Sequence, residues 1–500
     1  ALFHELEFRA LTERAKKIFG AENGVEMETK EELIDEKEVK KTALALWLVD
    51  SNITNPSRED ILEFANTDSF IKARKYIFEE LKKRNLEKVY SDIELPLLPF
   101  LKKAEERGII VDTEHLKKIS KTYHAKLEEL QKKIWKEAGE RFNINSPQQM
   151  GRVLFDHLGL SLKGLKKTEG GARSTRESEL LKLEGAHPII DHILHFRELQ
   201  KLLSTYIDNI PDMVKEDGRL HTTFIQTGTT TGRMSSKDPN MQNIPASGDY
   251  GNEIRKAFTA GEGYVLAAFD YSQIELRVLA LLSGEKTLIT LLKKGVDIHT
   301  AVASEMFSVP IEKVEKDMRR KAKVINFGII YGMGVTSLQK SLKSTREEAQ
   351  KFYDDYFKKF PGIADYIERI KNETAKKGYT ETLFGRRRYI EGLHSNIPYI
   401  RSAAERMAVN APIQGTATGD IIKLAIIHVE EMLKYENLEN DVFLLLQVHD
   451  ELVYEVKKDK VVRAASLIKN IMEHIVKTDI PFVVDASVGE NWGTMKQFKI

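Results

Sequence analysis

The chain has 500 residues, of which 41% are hydrophobic and 31% are charged, with no cysteine and a formal net charge of +1. This length allows about two to four domains, and the lack of cysteine excludes disulfides and thiolate metal sites, so any metal must have oxygen or imidazole ligands. Because no apolar run approaches roughly 20 residues and no signal-peptide pattern begins the chain, we expect a soluble intracellular protein without a membrane segment.

Residues 1 to about 206 are predicted to be mainly helical. The highly charged helices at 1–90 are separated from later, longer helices by a Pro-bounded segment at 93–96 and a strand-like segment at 108–112. The later helices are interrupted at 143–147 and at 163–176, where basic residues greatly outnumber acids. Such a basic loop suits contact with a phosphate backbone, and an ordinary solvated loop fits the same residues.

Strands and turns are predicted after Tyr206. The segment at 229–245 is rich in Asn, Gln, Ser and Arg, whose side chains suit hydrogen bonds to phosphate, sugar or base edges. An apolar run of strand length ends in Asp270, and Ser272 with Glu275 has the spacing of a capping box that begins a helix. Asp270 is a candidate site residue, although a turn residue would also explain it.

A helical region is predicted over 297–404. Within it, four residues recur at every fourth position and form a stripe that changes from cationic to aromatic: Arg319, Lys323, Phe327 and Tyr331. Such a stripe could hold a triphosphate at its basic end and stack a base or sugar at its aromatic end. An amphipathic helix with a solvated basic end also explains the stripe when it is taken alone.

Mixed structure is predicted from about Asn410 onward, ending in a strand, a turn and a strand at 442–456. Asp450 and Glu451 lie at the tip of this hairpin, and they converge with Asp270 if the apolar strands are neighbours. Burying unpaired carboxylates is costly, so two divalent ions about 3.5 to 4 Å apart would neutralise them and clamp an in-line phosphoryl displacement. Taken alone, Asp450 could also be a turn residue.

Three long segments, in order, resemble the motifs of a known family. DYSQIELR at 270–277, RRKAKVINFGIIYG at 319–332 and QVHDE at 447–451 are similar to motifs A, B and C of family A DNA polymerases of the bacterial DNA polymerase I large-fragment type. The likeness runs from about Ile93 to the C-terminus. It implies an α+β multidomain right-hand fold with an antiparallel-sheet palm, a helical thumb and helical fingers, after a truncated N-terminal exonuclease-like remnant.

The resemblance also divides the chain into domains, with motifs A and C in the palm and motif B in the fingers. The expected divisions are an inactive remnant at 1–92, palm segments at 93–112, 207–296 and 405–500, a thumb at 113–206 and fingers at 297–404.

The activity that the resemblance implies is DNA-directed DNA polymerisation in replication and repair. A primer 3′-hydroxyl attacks the α-phosphorus of a deoxynucleoside triphosphate and releases pyrophosphate, with two Mg²⁺ ions for which Mn²⁺ can substitute. By resemblance, Asp270, Asp450 and the Tyr271 carbonyl bind the metal ions. Glu451 supports them, and Lys323 binds the triphosphate and is placed to protonate the leaving group.

Nucleotide contacts follow from the same match: Gln273, Glu275, His299, Arg319, Lys323, Phe327 and Tyr331. Arg319 and His299 are expected at the β and γ phosphates, while Tyr331 is expected near the templating base. Phenylalanine rather than tyrosine at Phe327, beside the sugar, predicts poor acceptance of dideoxy terminators. Glu275 is expected to block a ribose 2′-hydroxyl.

Primer-template DNA is the implied partner, bound by a monomer in the cytoplasm and associated with the nucleoid. Contacts to the minor groove near the new base pair are assigned to Arg233, Asn243, Asn410, Gln414, Gln447 and His449, and thumb contacts to Asn145, Arg197 and Lys201. Minor-groove acceptors are shared by all correct pairs, so these contacts check shape rather than sequence.

Some positions depart from the family pattern. Ser247 replaces an expected arginine, which weakens the grip on primer phosphate, and the segment at 414–420 is one residue longer than expected. Lys41 stands where the exonuclease-like domain has a metal-binding aspartate, and the acidic segment at 5–7 lies in a helical context. We therefore expect neither proofreading nor 5′-3′ exonuclease activity.

Two other classes of protein share part of the pattern. A two-metal nuclease or phosphatase would use the same carboxylates but would not need the stripe at 319–331. A catalytically silent DNA-binding protein would tolerate loss of Asp270 or Asp450, and both are intact.

Overall fold

The computed structural model of the chain describes residues 35–160, 170–171, 173–245 and 248–500. Ser247, the acidic segment at 5–7 and the lysines of the basic segment at 163–176 lie outside these ranges. The chain separates into two compact units, residues 1–40 and 41–500. Among the described residues, no helix is both long and apolar enough to cross a membrane.

Regular structure at 35–107 is helical, in agreement with the prediction for the part of 1–90 that is described. The elements are α1 Glu36–Val49, α2 Arg58–Phe64, α3 Phe70–Lys83, α4 Glu87–Val89, a π-helical turn Tyr90–Glu94 and α5 Leu95–Arg107. A capping box of Ser57 and Asp60 begins α2. Helix α3 buries Phe70, Ala73 and Ile77, which lie on one face because they are three and four residues apart.

The 26-residue helix α6 Thr113–Ala138 begins a region with its own hydrophobic core. Asp112 caps it by accepting a hydrogen bond from His115 N, and the left-handed Gly139 ends it. Helix α6 packs along α9 Pro188–Leu202. The other elements are α7 Pro147–Gly151, a π-helical turn Arg152–His157, α8 Glu177–Leu180, a 3-10 turn Leu181–Leu183, a π-helical turn Leu203–Ile207 and α10 Ile210–Met213.

Short strands connect this region to the main sheet. They are β1 Ile109–Val111, β2 Arg219–Leu220, β3 Thr223–Ile225, β4 Ser235–Lys237 and β5 Phe258–Thr259. Strands β2, β1 and β5 form an antiparallel sheet in that order, and β3 pairs with β4. A 3-10 turn, Met241–Asn243, and helix α11 Asp249–Arg255 lie between β4 and β5.

The principal sheet contains the strands that carry the predicted carboxylates. Its members are β6 Tyr264–Tyr271, β9 Val442–Val448, β10 Glu451–Lys457, β11 Val484–Gly489 and β12 Lys496–Gln497. They are antiparallel, in the order β12-β11-β6-β10-β9. Leu266 and Ala268 pack in one hydrophobic core, and Ala267 and Phe269 pack in another. Because β6 is buried on both faces, its sequence is apolar without alternation.

Helices follow β6 as predicted, with one exception. They are α12 Ile274–Ser283, α13 Lys286–Lys293, α14 Ile298–Phe307, a 3-10 turn Ile311–Lys313, α15 Lys316–Ile330, α16 Val335–Leu342, α17 Arg346–Lys359 and α18 Pro361–Lys377. The exception is an antiparallel hairpin of β7 Tyr379–Glu381 and β8 Arg387–Tyr389, where the prediction over 297–404 was helical. Gly378, with φ 77°, ends α18 and allows the chain to turn into the hairpin.

The prediction of mixed structure from about Asn410 was wrong. Helix α19 Pro398–Gln414 continues through a π-helical turn, Gly415–Ile421, into α20 Ile422–Tyr435. Pro412 and the glycines of this segment have low helix propensity, but tertiary packing of a fully buried turn outweighs it. Mixed structure begins at β9, and α21 Val461–Glu473 lies between β10 and β11.

Candidate active site

The carboxylates predicted at two strand ends come together at one end of the principal sheet. In the strand register, Asp270 of β6 lies opposite Glu451 of β10 and Asp485 of β11. Asp450 occupies the turn between β9 and β10, and its carbonyl oxygen accepts a hydrogen bond from Tyr271 N at 3.2 Å. The fold therefore gathers four acidic residues that are far apart in the chain.

Three carboxyl groups of this cluster, those of Asp270, Asp450 and Glu451, have pKa values above their ordinary range. Burial, followed by repulsion from Asp450, Glu451 and Asp485, raises the pKa of Asp270 to about 8. Burial is also the largest cause that raises the pKa of Asp450 and that of Glu451. The Arg255 guanidinium opposes the shifts of Asp270 and Glu451, with NH1 3.9 Å from Glu451 Oε2. Arg233 and Arg277 also interact with acids of the cluster, but Arg233 is already paired with Glu275, so the four acids outnumber their cations.

The donor set fits a hard divalent cation. Within the described ranges, no group of three or more His, Cys, Asp or Glu side chains is arranged to hold a metal ion. Mg²⁺ does not need such a group, since it is usually bound by one or two carboxylates together with substrate phosphates and water. Asp270 and Asp450 can supply the two carboxylates, and the carbonyl of Tyr271 adjoins them.

Glu275 links the end of β6 to the helix with the cationic stripe. The predicted capping box of Ser272 and Glu275 was wrong, because Gln273 takes the N-cap position with a left-handed backbone, φ 56°, and makes no side-chain capping bond. The Glu275 carboxylate instead accepts hydrogen bonds from Arg233 NH2 at 2.7 Å and from the Tyr331 hydroxyl at 3.1 Å. Tyr331, just past α15, is thereby tied to the strand end.

The cationic end of the stripe is exposed. Lys323 lies eight residues before Tyr331, about 12 Å along the helix axis at 1.5 Å per residue. Arg319 forms a bidentate ion pair with Asp297, with Nε 2.9 Å from Oδ2 and NH2 3.0 Å from Oδ1. Burial raises the pKa of Asp297, but hydrogen bonds from Arg319 and Thr300 outweigh it and bring the pKa down to about 2.

His299 is buried beside this end of α15. Its Nδ1 lies 3.1 Å from the side-chain amide nitrogen of Asn326, and its ring centre is 5.5 Å from that of Phe327. Burial, helped by the charges of Arg319 and Lys323, lowers the pKa of His299 to about 4 despite the opposing charge of the neighbouring acid. The imidazole is therefore neutral at pH 7, and because Nδ1 accepts from an amide, Nε2 carries the proton.

Polar side chains form a row next to the carboxylates. Gln447 donates to the carbonyl oxygen of His449 at 2.7 Å, and Gln242 donates to Gln447 Oε1 at 2.9 Å. His449 is exposed at the hairpin tip with a left-handed backbone, φ 55°. Asn243 is exposed at the end of the 3-10 turn that contains Gln242. Two of the predicted DNA-binding residues are thus in contact with each other, Gln447 and His449.

Arg233 is the centre of a second polar group. With its amide oxygen turned toward the guanidinium, Gln414 accepts a hydrogen bond from Arg233 NH1 at 2.5 Å. Asn410, one helical turn earlier, has a buried Oδ1 without a hydrogen-bond partner among the described residues. A buried unsatisfied oxygen suits a donor from a bound ligand.

The predicted thumb contacts are not brought to the carboxylates. Asn145 and Lys201 are exposed in the region at 113–207. Arg197 donates to Thr175 O and lines a cavity of about 1250 Å³. Other arginines also line this cavity: Arg152, Arg173 and Arg176.

Comparison with known proteins places this site in a family. Residues 113–494 match the family model described as DNA polymerase family A. The chain belongs to DNA polymerase family A. It is 47% identical to the thermostable DNA polymerase I of Thermus aquaticus over 82% of this chain and 49% of that protein, and 44% identical to DNA polymerase I of Pseudomonas aeruginosa over 82% and 44%. It spans about half the length of the curated relatives it matches.

The family A fold is also seen in a solved structure. The POL domain of Pol1 from M. smegmatis, in complex with DNA primer-template and dNTP, matches with a TM-score of 0.85 and 36% identity, covering 90% of this chain and 81% of that chain. The predicted family and the α+β right-hand fold are confirmed, with antiparallel strands in the palm sheet. The individual domain boundaries stay predictions.

Sequence reasoning missed several residues of this family A site. Asp485, the one acid in the strand VDASVG, and Gln242, within the polar segment at 229–245, carried a signal that could have been used. Arg255 and Thr418 carried none. The Arg233 side chain donates to Thr418 from 185 residues away, a distance over which no local pattern predicts contact.

Proposed function

We propose that this chain is a DNA-directed DNA polymerase that adds deoxynucleotides to a primer 3′-hydroxyl in replication and repair. The observation that carries the proposal is the meeting of Asp270 and Asp450 at one strand end, tied through Glu275 and Tyr331 to the helix with exposed cations. Relatives named DNA polymerase I, and a similar structure bound to primer-template and dNTP, support these partners.

Two Mg²⁺ ions, or Mn²⁺ in their place, would be held by Asp270, Asp450 and the carbonyl of Tyr271, with Glu451 nearby. When bound, the ions neutralise charge on the reacting oxygens and favour ionisation of the primer hydroxyl. Burial and then repulsion among the acids raise the pKa of Asp270, and a cation at this place would relieve the repulsion.

Three groups on α14 and α15 would bind the triphosphate. The ion pair with Asp297 uses Nε and one NH2 hydrogen of Arg319, which leaves the NH1 group to donate to a phosphate oxygen. Neutral His299 donates from Nε2. The exposed Lys323 ammonium binds the phosphates and is placed to give a proton to departing pyrophosphate.

The sugar and base would lie toward the aromatic end of the stripe. Phe327 packs against the sugar and Tyr331 lies near the templating base, while Gln273 borders the nucleotide at the turn before α12. Because Glu275 is buried and already accepts two hydrogen bonds, a ribose 2′-hydroxyl would meet a fixed carboxylate. This arrangement favours deoxyribose.

The duplex would lie between palm and thumb, with the domain boundaries predicted above. The residues that would contact its minor groove are Arg233, Asn243, Asn410, Gln414, Gln447 and His449. Those that would contact its backbone are Asn145, Arg197 and Lys201. The four arginines around the thumb cavity add a basic surface for phosphates. Absence of proofreading, a monomeric state and association with the nucleoid stay predictions.

Primer extension separates this proposal from the other two classes. With Mg²⁺, dNTPs and a primed template, the wild type should lengthen the primer, and Asp450→Ala should extend it about 10³-fold more slowly, since a metal ligand contributes several kcal/mol to the barrier. A nuclease would shorten the primer in the same assay. A silent DNA-binding protein would do neither, and Asp450→Ala would change nothing.

A further inference from the structure

The π-helical turn Gly415–Ile421 is a local feature of this chain that the mechanism above does not use. It lies in the segment at 414–420 that the sequence analysis predicts to be one residue longer than the family pattern, and all seven of its residues are buried. A π-helical turn accommodates one extra residue inside a continuous helix, and such turns are frequent at functional sites. The π-helical turn would accommodate the predicted extra residue while α19 continues into α20.

Two glycines of this turn let the loop at 229–233 lie directly on it. A Cβ atom would be 2.9 Å from Thr231 O at Gly415 and 3.1 Å from the same oxygen at Gly419. The loop also packs against Arg386, which leaves no room for a Cβ atom at Gly232 and is bonded to Asp420 of the π-helical turn, Nε to Oδ1 at 2.8 Å. The loop that carries Arg233 is thus held by the π-helical turn and by Arg386.

The hydroxyl of Thr418, in the π-helical turn, makes a direct hydrogen bond with the Arg233 side chain. Thr418 Oγ1 accepts a hydrogen bond from Arg233 Nε and donates to Gln414 O at 3.1 Å. Arg233 NH2 donates to Glu275, and NH1 faces the Gln414 amide oxygen. Each nitrogen of the guanidinium therefore has its own acceptor. Because Nε carries a single hydrogen, the bond to Thr418 fixes the plane in which the other two groups point.

We propose that Thr418, presented by the π-helical turn, is a positioning residue for Arg233 and, through it, for Glu275. The inference rests on the proposed polymerase function. Without the Thr418 hydroxyl the guanidinium can rotate away from Glu275, whose carboxylate then loses a donor and its fixed place beside the sugar. Both the efficiency of correct incorporation and the exclusion of ribonucleotides depend on this contact.

Steady-state incorporation of dNTP and rNTP by four single variants tests the assignment. Thr418→Val, nearly equal in shape, should lower kcat/KM for dNTP about tenfold and raise the rNTP-to-dNTP ratio about fivefold, as expected for loss of a hydrogen bond to a charged group. Thr418→Ser keeps the hydroxyl and should stay within about twofold of wild type for both quantities.

The matched control is Thr416→Val in the same π-helical turn. The Thr416 hydroxyl accepts from Leu383 N at 3.0 Å and does not contact Arg233, so this variant should lower the Tm without changing the rNTP-to-dNTP ratio. In an Arg233→Ala background, Thr418→Val should have no further effect on the ratio, because the group it positions is gone.

Three results would overturn the assignment: an unchanged ratio in Thr418→Val, an equal change in Thr416→Val, or a full additional effect in the Arg233→Ala background. Failure of the wild type to extend any primer would instead overturn the proposed function, so the two failures are distinguishable.

Discussion

Two clusters of charged side chains in residues 41–500 differ in one respect, the balance of their charges. The paired cluster contains two acids and two bases: Glu94, Arg386, Asp420 and Lys423. The acid cluster contains four acids: Asp270, Asp450, Glu451 and Asp485. Arg255 lies 3.9 Å from Glu451, and Arg233 and Arg277 also interact with acids of this cluster. This difference in charge balance indicates that the paired cluster is structural and that the acid cluster binds a cationic ligand.

Every acid in the paired cluster has a base within hydrogen-bond reach. Lys423 Nζ lies 2.7 Å from Glu94 Oε1, and Arg386 Nε lies 2.8 Å from Asp420 Oδ1 while its NH2 also bonds Glu94. Trp47 covers both cations, each 5.0 Å from its ring centre. Buried charges that are matched in this way hold helices and the β7–β8 hairpin together, whereas the unmatched acids leave charge for a ligand to neutralise.

Removing one acid from the acid cluster should therefore stabilise the protein and inactivate it. Asp270→Asn should raise the free energy of unfolding by about 1 to 2 kcal/mol in metal-free buffer at about pH 8, because it removes repulsion, and should lower primer extension about 10³-fold or more. Urea unfolding and single-turnover extension measure the two effects. The control is Asp317→Asn on α15, whose exposed carboxylate is 2.6 Å from Arg320 and should change neither quantity appreciably. A destabilised Asp270→Asn would show that the cluster is structural.

The contrast between the clusters was only partly readable in the sequence. The apolar strand before Asp270 and the hairpin tip at Asp450 predicted that the two carboxylates meet. An acid at the end of a strand that is apolar on both faces is unusual, and the sequence alone shows it. Glu94 and Lys423 gave no comparable signal, since their pairing depends on contacts 329 residues apart. Glu275 was misjudged for a related reason. Local spacing suggested a cap, but partners brought by the fold, Arg233 and Tyr331, determine its role.

The paired cluster should respond in the opposite way. Glu94→Gln leaves Lys423 and Arg386 buried without a matching charge and should lower the free energy of unfolding by about 3 to 5 kcal/mol, while the folded fraction keeps near-normal kcat. Thermal unfolding with extension assays well below the Tm separates the two effects. Glu368→Gln, which breaks an exposed pair with Lys371 at 3.1 Å, is the control and should cost less than about 1 kcal/mol. If Glu94→Gln lost as much kcat as Asp270→Asn, the claim that the paired cluster is structural and the acid cluster catalytic would be wrong.

The smallest expected effect is a pH dependence confined to the acid cluster. The folded chain raises the pKa of Asp270 from 3.8 to about 8, so between these values it binds more protons than the unfolded chain, and stability falls as pH rises. Because the Asp270 side chain is exposed and solvent screens its repulsion, the slope from this group should be well below the limit of about 1.4 kcal/mol per pH unit. We expect urea unfolding with a chelator, from about pH 5 to about pH 8, to show that the free energy of unfolding of Asp270→Asn increases relative to that of the wild type as pH rises. Added Mg²⁺ should reduce this difference in unfolding free energy near pH 8, because it binds the ionised carboxylates of the wild type. A gap that is constant across the range, as expected for the Glu368→Gln control, would mean that Asp270 titrates normally and that its neighbours do not repel it.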